Sequence, residues 1–102
     1  MTIQIVETTD LKNSLPAGVG MTPLIDAGKV RALLLDVEAG QGVAPCQMSF
    51  TVLYYVVEGR GHLRVGDEQA ELQRGSLAVV TAGAVRSISA VAPMRVLVVQ
   101  AL

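Results

Sequence analysis

The chain has 102 residues, and eight basic against nine acidic side chains give a formal charge of −1 at pH 7. This length suits one domain with a single core and is too short for two. The near-neutral balance, without a basic run, argues against a nucleic-acid partner. No signal peptide and no apolar run of membrane-spanning length is found, so we expect no membrane partner. A single Cys fits a reducing compartment, and the sequence therefore predicts a cytoplasmic protein.

The N-terminal part of the chain has the least regular pattern. Residues 3–6 alternate like a short strand, and residues 9–15 favour one capped helical turn. Residues 17–22 contain two Gly and precede a Pro, which predicts a loop. We therefore predict an N-terminal arm over residues 1–27 and a β-domain over residues 28–102.

The remainder of the chain consists of short apolar runs between Gly- and Pro-containing turns. Runs of this kind at regular intervals indicate an all-β sandwich or barrel. Strand alternation places Arg86 on the face of Ile88 and Ala90, and it places His62 on the polar face of a hairpin. The predicted strands cover residues 30–38, 44–49, 52–58, 62–65, 69–72, 77–80, 86–91 and 94–101.

Two stretches of this β-domain carry a family resemblance. Residues 75–90, GSLAVVTAGAVRSISA, resemble the second motif of the cupins, Gly-x5-Pro-x-Gly-x2-His-x3-Asn. Both Gly match in spacing, whereas Thr81, Arg86 and Ala90 stand where cupins have Pro, the metal-binding His and Asn. Residues 53–59, LYYVVEG, resemble the strand that ends the first motif.

The other metal-ligand positions of cupins lie upstream of this strand, in the pattern His-x-His-x3-Glu. The shorter family spacing places them on Cys46, Met48 and Val52. The longer spacing places them on Pro45, Gln47 and the same Val52. Neither alignment supplies the imidazole or carboxylate that transition metals need, so we predict no metal and no other cofactor.

The resemblance implies a double-stranded β-helix, the jelly-roll barrel of the cupins. It also implies a homodimer, which in small cupins often forms through an N-terminal strand, here within residues 1–27. Cupins usually hold a transition metal with three His and a Glu. They support dioxygenases, isomerases, decarboxylases and lyases, and also non-enzymatic binding.

Arg86 is the most informative residue for function. It is always protonated and cannot be a metal ligand. An Arg that points into an apolar barrel needs a partner, because burying an unpaired charge is costly. The partner is either an internal acid or backbone carbonyl group, or an anionic ligand held bidentately. A solvated position at the barrel rim is a third alternative.

Three other side chains are candidates to line the barrel beside Arg86. Tyr54 could donate a hydrogen bond to a ligand or pack in the core. Cys46 and Met48 could hold a soft metal such as Cu(I) or fill the core. His62 could act as a general base, but its polar face favours a surface position.

The sequence therefore predicts a metal-free cupin-like protein that binds a small anion inside the barrel. Arg86 is the predicted anchor, and Tyr54, Cys46 and Met48 are predicted to line the site. One alternative is a metal-dependent enzyme of the dioxygenase or isomerase type with unusual ligands. Another is a non-catalytic structural module with a filled barrel. No catalytic residue is identified, and the sequence does not decide between an enzyme and a binding protein.

Overall fold

The computed structural model describes residues 3–10 and 18–102. In these ranges it contains one 3-10 turn and seven strands, which confirms the predicted all-β class. The turn is Thr8–Asp10, and the strands are β1 Val19–Asp26, β2 Val30–Val37, β3 Gly42–Gln47, β4 Thr51–Val65, β5 Glu68–Gln73, β6 Leu77–Val80 and β7 Val85–Ala101. No helix in this part of the chain is long and apolar enough to cross a membrane.

The frame of the fold is the antiparallel pair formed by β4 and β7. They pair from Thr51 opposite Ala101 to Val65 opposite Arg86. The first half of β4 and the second half of β7 lie in a sheet of order β1-β2-β7-β4-β6. The other halves lie in a sheet of order β3-β7-β4-β5. Two sheets that share bent strands in this way form the predicted double-sheet jelly roll.

The bend in β4 lies at Gly59 and Gly61. Gly59 has a φ of +83°, and a Cβ atom there would overlap the carbonyl oxygen of Pro93. A Cβ atom at Gly61 would overlap the carbonyl oxygen of Ser89. The pairing register shifts on both sides of Gly59, so this segment is a bulged bend. The predicted turn at residues 59–61 is therefore wrong, because β4 continues through it. The predicted turn at residues 92–93 is wrong for the same reason, because β7 continues through it.

Strand β1 contradicts the loop that was predicted over residues 17–22. It pairs with β2 from Val19 opposite Val37 to Asp26 opposite Arg31. Pro23 lies inside this strand, which is possible because β1 is an edge strand and the register shifts immediately after Pro23. Residues 19–26 thus extend the first sheet by one strand.

The N-terminal segment, residues 3–10, is attached to the first sheet at Thr8. Residues 3–6 form no strand, contrary to the prediction, and Thr8–Asp10 form a 3-10 turn. The rest of the predicted helical turn, residues 11–15, lies outside the described residues. Arg95 donates to Asp36 Oδ1 at 2.8 Å and to the Thr8 carbonyl oxygen at 3.1 Å. This arginine therefore attaches the N-terminal segment to strand β2.

The core fills the space between the two sheets. Alternate residues of the long strands β4 and β7 point inward, as period-two geometry requires, and Val56 and Val96 at the centre are 0% exposed. Burying each such side chain contributes about 1.5–3 kcal/mol. The buried cluster consists of Leu35, Val37, Val52, Tyr54, Val56, Leu63, Leu72, Val80, Ile88, Ala90, Met94, Val96 and Val98.

The outer surface of the first sheet is also apolar. The strand register aligns uncharged residues in two rows that run from β2 through β7 and β4 to β6. Exposure increases along the rows, from 0% at Leu34 to 66% at Leu77 and 61% at Val79. We call this surface the outer apolar face. The rows are Leu34, Leu97, Tyr55, Leu77 and Ala32, Val99, Leu53, Val79.

Candidate ligand-binding site in the barrel

A cavity of about 100 Å³ lies between the two sheets, beside the first residues of β4 and β7. Its wall is mostly apolar, with a small number of polar side chains, which is the usual composition of a ligand pocket. Cys46, Met48, Tyr54 and Arg86 all contribute to this wall. The structure therefore brings the four predicted site residues together, while their binding of a ligand stays a prediction. The remaining lining residues are Met21, Leu35, Val43, Val52, Ser87, Ile88, Val98 and Gln100.

Arg86 is 2% exposed and has neutral hydrogen-bond partners. Its Nε donates to the Ala84 carbonyl oxygen at 3.0 Å, and Nη1 donates to Tyr54 Oη at 3.2 Å. Nη2 donates to the Thr81 carbonyl oxygen at the longer distance of 3.5 Å. Of the predicted alternatives, the structure shows backbone carbonyl partners and rules out the solvated rim position.

The charge of Arg86 is not balanced by a carboxylate of the described residues. Within residues 3–10 and 18–102, the ion pair of the structure is Arg95 with Asp36. A guanidinium group has five N–H donors, so the three bonds leave one N–H on each terminal nitrogen. A buried cation that lacks a paired anion is expensive to desolvate, and neutral acceptors compensate it only in part.

Tyr54 lies against Arg86 and is 7% exposed. Burial raises the pKa of Tyr54, and the hydrogen bond and charge of Arg86 offset this increase only partly. The phenol is therefore neutral at physiological pH. Because its oxygen accepts the bond from Arg86, its own O–H is available to donate.

Cys46 lies directly across from Arg86 in the β3–β7 pairing. Side chains in such pairs have Cβ atoms about 4.5–5.5 Å apart. Cys46 is half-buried and unpaired as a thiol, and both side chains line the same cavity. Met48, just after β3, is half-buried and packs against the core, so core packing is one role that the structure shows for it.

Met21 and Gln100 are among the lining residues that the sequence analysis did not assign to the site. Met21 lies in β1, in the segment that was predicted to be a loop. Gln100 continues the inward alternation of Val96 and Val98 on β7, so strand period two could have identified it. His62 does not line the barrel cavity. It lies opposite Glu71 and Ser89 on the second sheet, consistent with the predicted polar face.

The residues around this cavity do not fit the transition metal that the family resemblance implies. Among the residues that the structure describes, no three His, Cys, Asp or Glu side chains are grouped closely enough to hold a metal ion. At the position of the cupin His, Arg86 brings a positive charge that would repel a cation. The sulfur atoms of Cys46 and Met48 would suit only a soft metal.

Comparison with known proteins agrees with this architecture. The Cupin_2 model, described as the cupin domain, matches residues 34–100. No curated protein matches the sequence. Protein TT1209 of Thermus thermophilus is a similar solved structure, with 27% identity and a TM-score of 0.85 over 99% of this chain and 97% of its own.

Two further solved structures share the fold at lower identity. An RmlC-like cupin protein of Desulfovibrio desulfuricans has a TM-score of 0.87 and 20% identity over 97% of this chain and 96% of its own. Salicylate 1,2-dioxygenase of Pseudoaminobacter salicylatoxidans has a TM-score of 0.78 and 18% identity. That match covers 91% of this chain and 27% of the dioxygenase. Because the family model covers most of the β-domain and the topology agrees, this chain belongs to the cupin domain family.

Proposed function

We propose that this chain is a metal-free cupin that binds a small organic anion inside its barrel. One observation carries the proposal: the guanidinium of Arg86 is fully buried at the wall of a cavity, and its hydrogen-bond partners among the described residues are neutral oxygen atoms. An anion in the cavity would supply the missing negative charge. Charge-assisted hydrogen bonds to Arg are about twice as strong as neutral ones.

The cavity volume limits the size of the ligand. A volume of about 100 Å³ is less than the ~150 Å³ cavity that accepts benzene. It corresponds to about three water molecules at ~30 Å³ each. We therefore expect a short carboxylic acid with about two to four carbon atoms.

The polarity of the wall sets the orientation of such an acid. Its carboxylate would accept hydrogen bonds from the unused N–H groups of Arg86 and from the Tyr54 hydroxyl. Its carbon atoms would lie against Val52, Val98 and Met48, which form part of the apolar wall. A neutral molecule of the same size would leave the charge of Arg86 uncompensated and would bind less tightly.

The two alternatives receive less support from the same region. A structural module with a filled barrel needs no cavity, whereas about 100 Å³ is open beside Arg86. A dioxygenase activity is named for one structural neighbour, but that protein shares only 18% identity with this chain. The side chains at the cupin ligand positions do not supply the His and carboxylate donors that such metal chemistry uses.

A thermal-shift screen of short carboxylic acids tests the proposal. A ligand at ten times its Kd stabilises the native state by about 1.4 kcal/mol, which corresponds to a Tm increase of about 5–10 °C for a domain of this size. We expect Arg86→Met to abolish this increase. Arg74→Met, which removes the same charge from an exposed turn, serves as the matched control.

Two results would count against anion binding. In one, no acid of the panel raises the Tm of the wild-type protein at millimolar concentrations. In the other, Arg86→Met folds and gives the same Tm increase as the wild type. Amides of the same acids should raise the Tm less than the acids do, because they lack the negative charge.

A further inference from the structure

Cys46 is placed to react with a molecule that Arg86 holds. The two residues are opposite each other in the β3–β7 pairing and line the same cavity. Cys46 is half-buried and is a free thiol. Cys46 is also close enough to Tyr54 for the two side chains to interact electrostatically. Cysteine, tyrosine and arginine therefore form one cluster at the cavity wall.

The geometry limits where the carbon atoms of a bound acid can lie. A carboxylate on the terminal nitrogens of Arg86 is bound at one edge of a cavity of about 100 Å³. Cys46 also lines this cavity, whose volume corresponds to a width of only about 6 Å if it is taken as a sphere. The carbon next to the carboxylate would therefore lie near the Cys46 side chain.

We infer that Cys46 is a nucleophile for small carboxylates that carry an electrophilic carbon beside the carboxylate, such as aldehyde acids and 2-oxo acids. This inference rests on the proposed anion site and adds to it the chemical class of the ligand. The Arg86 guanidinium selects the carboxylate, and the Cys46 thiol selects the electrophilic carbon. A ligand that satisfies both forms one covalent bond in addition to its ionic contacts.

The addition needs no further reactant. The thiol adds to the carbonyl carbon, so that an S–C bond forms and the π bond of the C=O group breaks. The thiol proton passes to the carbonyl oxygen, and the product is a hemithioacetal or hemithioketal. With a haloacid, the S–C bond forms as the carbon–halogen bond breaks, the halide leaves and the thiol proton passes to solvent.

Alkylation with two reagents of equal size tests this inference. Iodoacetate carries a carboxylate, and iodoacetamide carries a neutral amide in its place. The chain has a single Cys, so intact mass reports one adduct and Cys46→Ser gives none. We measure the ratio of the iodoacetate rate to the iodoacetamide rate for the folded chain and for the same chain unfolded in urea.

The expected ratio is about tenfold or more higher in the folded chain than in the unfolded chain, as a charge-assisted hydrogen bond implies. Arg86→Met should return the ratio to that of the unfolded chain. Arg86→Lys, which keeps the charge in case the first variant does not fold, should retain part of the preference. Equal ratios in folded wild type and unfolded chain would overturn the inference.

The alkylation and thermal-shift measurements together distinguish a failure of anion binding at Arg86 from a failure of Cys46 as a nucleophile. If Cys46 stays unreactive toward both reagents while acetate or propionate still stabilises the wild type through Arg86, anion binding stands and the nucleophile is excluded. If Arg86→Met changes neither the alkylation ratio nor the stabilisation by these acids, both proposals fail. Protection of Cys46 from iodoacetamide by glyoxylate, but not by acetate at the same concentration, supports covalent addition.

Discussion

The Arg86 guanidinium is held by three neutral oxygen atoms inside an apolar barrel. Two of them are carbonyl oxygens of the connection between β6 and β7, which wraps around the side chain. Such bonds fix the orientation of the guanidinium, but they do not neutralise it. A charged side chain that is costly to bury is better suited to a binding role than to a stabilising one.

Replacing Arg86 by Met should therefore not weaken the ligand-free protein. We expect its free energy of unfolding to stay equal or to rise by up to about 3 kcal/mol, because an apolar side chain of similar volume removes the desolvation cost. Urea unfolding without added acids measures this. The control Arg74→Met should lie within about 0.5 kcal/mol of the wild type. A loss of 2 kcal/mol or more in Arg86→Met would assign a structural role to the guanidinium.

The Tyr54 phenol makes the stability of the protein decrease with increasing pH in the alkaline range. Burial raises its pKa above the ordinary value of 10.0, so the unfolded chain ionises at a lower pH than the folded chain. The unfolded state then binds fewer protons, and stability falls as pH increases. This contribution is fully present below about pH 10 and is lost as the pH rises through the folded-state pKa.

Urea midpoints measured from about pH 9 to 11 should therefore decrease more steeply in the wild type than in Tyr54→Phe. The chain has two Tyr, so Tyr55→Phe leaves Tyr54 as the sole phenol for a spectroscopic titration. Its phenolate absorbance should develop above the ordinary tyrosine pKa. If the urea midpoints of the wild type and of Tyr54→Phe decreased equally with pH, the pH dependence could not be attributed to Tyr54.

The sequence predicted which residues would line the cavity with Arg86 because the cupin glycines fix their positions. Gly75 and Gly83 align Arg86 with the family's His, and the strand before Gly59 aligns Tyr54 with the barrel interior. It could not locate the partners of the guanidinium. The oxygen atoms of Thr81 and Ala84 belong to the backbone, so their place depends on loop conformation and not on residue type.

The strand boundaries followed from local signals only in part. Gly and Pro mark turns, but they also mark bulges and sheet edges, and a local pattern does not distinguish these cases. Gly59 therefore looked like the end of a strand that in fact continues to Val65. Residues 17–22, which precede Pro23, were predicted to be a loop, although residues 19–26 pair with β2. In both cases the deciding contact is with a strand far away in sequence.

The bend in β4 predicts a large difference between two glycine substitutions. Gly59→Ala should lower the free energy of unfolding by more than about 3 kcal/mol, because its Cβ would overlap the Pro93 carbonyl oxygen and φ is +83°. Gly83→Ala has a similar φ of +86° but open space around the Cβ, so it should cost only about 1–2 kcal/mol.

Urea unfolding of the two variants provides the comparison. Equal costs would mean that backbone conformation alone, and not the close approach of β4 to β7, explains the glycine at position 59. Failure of Gly59→Ala to fold, alongside a folded Gly83→Ala, agrees with the prediction.

At the scale of the whole molecule, the outer apolar face is a candidate interface for the predicted homodimer. Its two rows contain no charged side chain, so the same surface on a second copy meets no like-charge repulsion. Tyr55, Leu77 and Val79 are the exposed members of the rows. We expect the homodimer to form through this face, in addition to any contact made by the N-terminal segment.

Sedimentation of the wild-type chain should then show a dimer at micromolar concentrations. Leu77→Lys should shift it to the monomer, because dimerisation through this face would have to bury the added charge in an apolar interface. Val91→Lys introduces the same charge at an apolar position on the second sheet, 48% exposed, and should leave the dimer intact. A monomeric wild type would contradict this prediction.

The pairing of β4 with β7 also has a consequence for how the chain folds. Its facing residues are 21 positions apart at one end, from 65 to 86, and 50 apart at the other, from 51 to 101. A polypeptide gains little from such contacts until a long loop has closed, and topologies of this kind fold in milliseconds to seconds. Because β7 is the last of the seven strands and contributes to both sheets, a ribosome must synthesise all seven strands before either sheet can be completed.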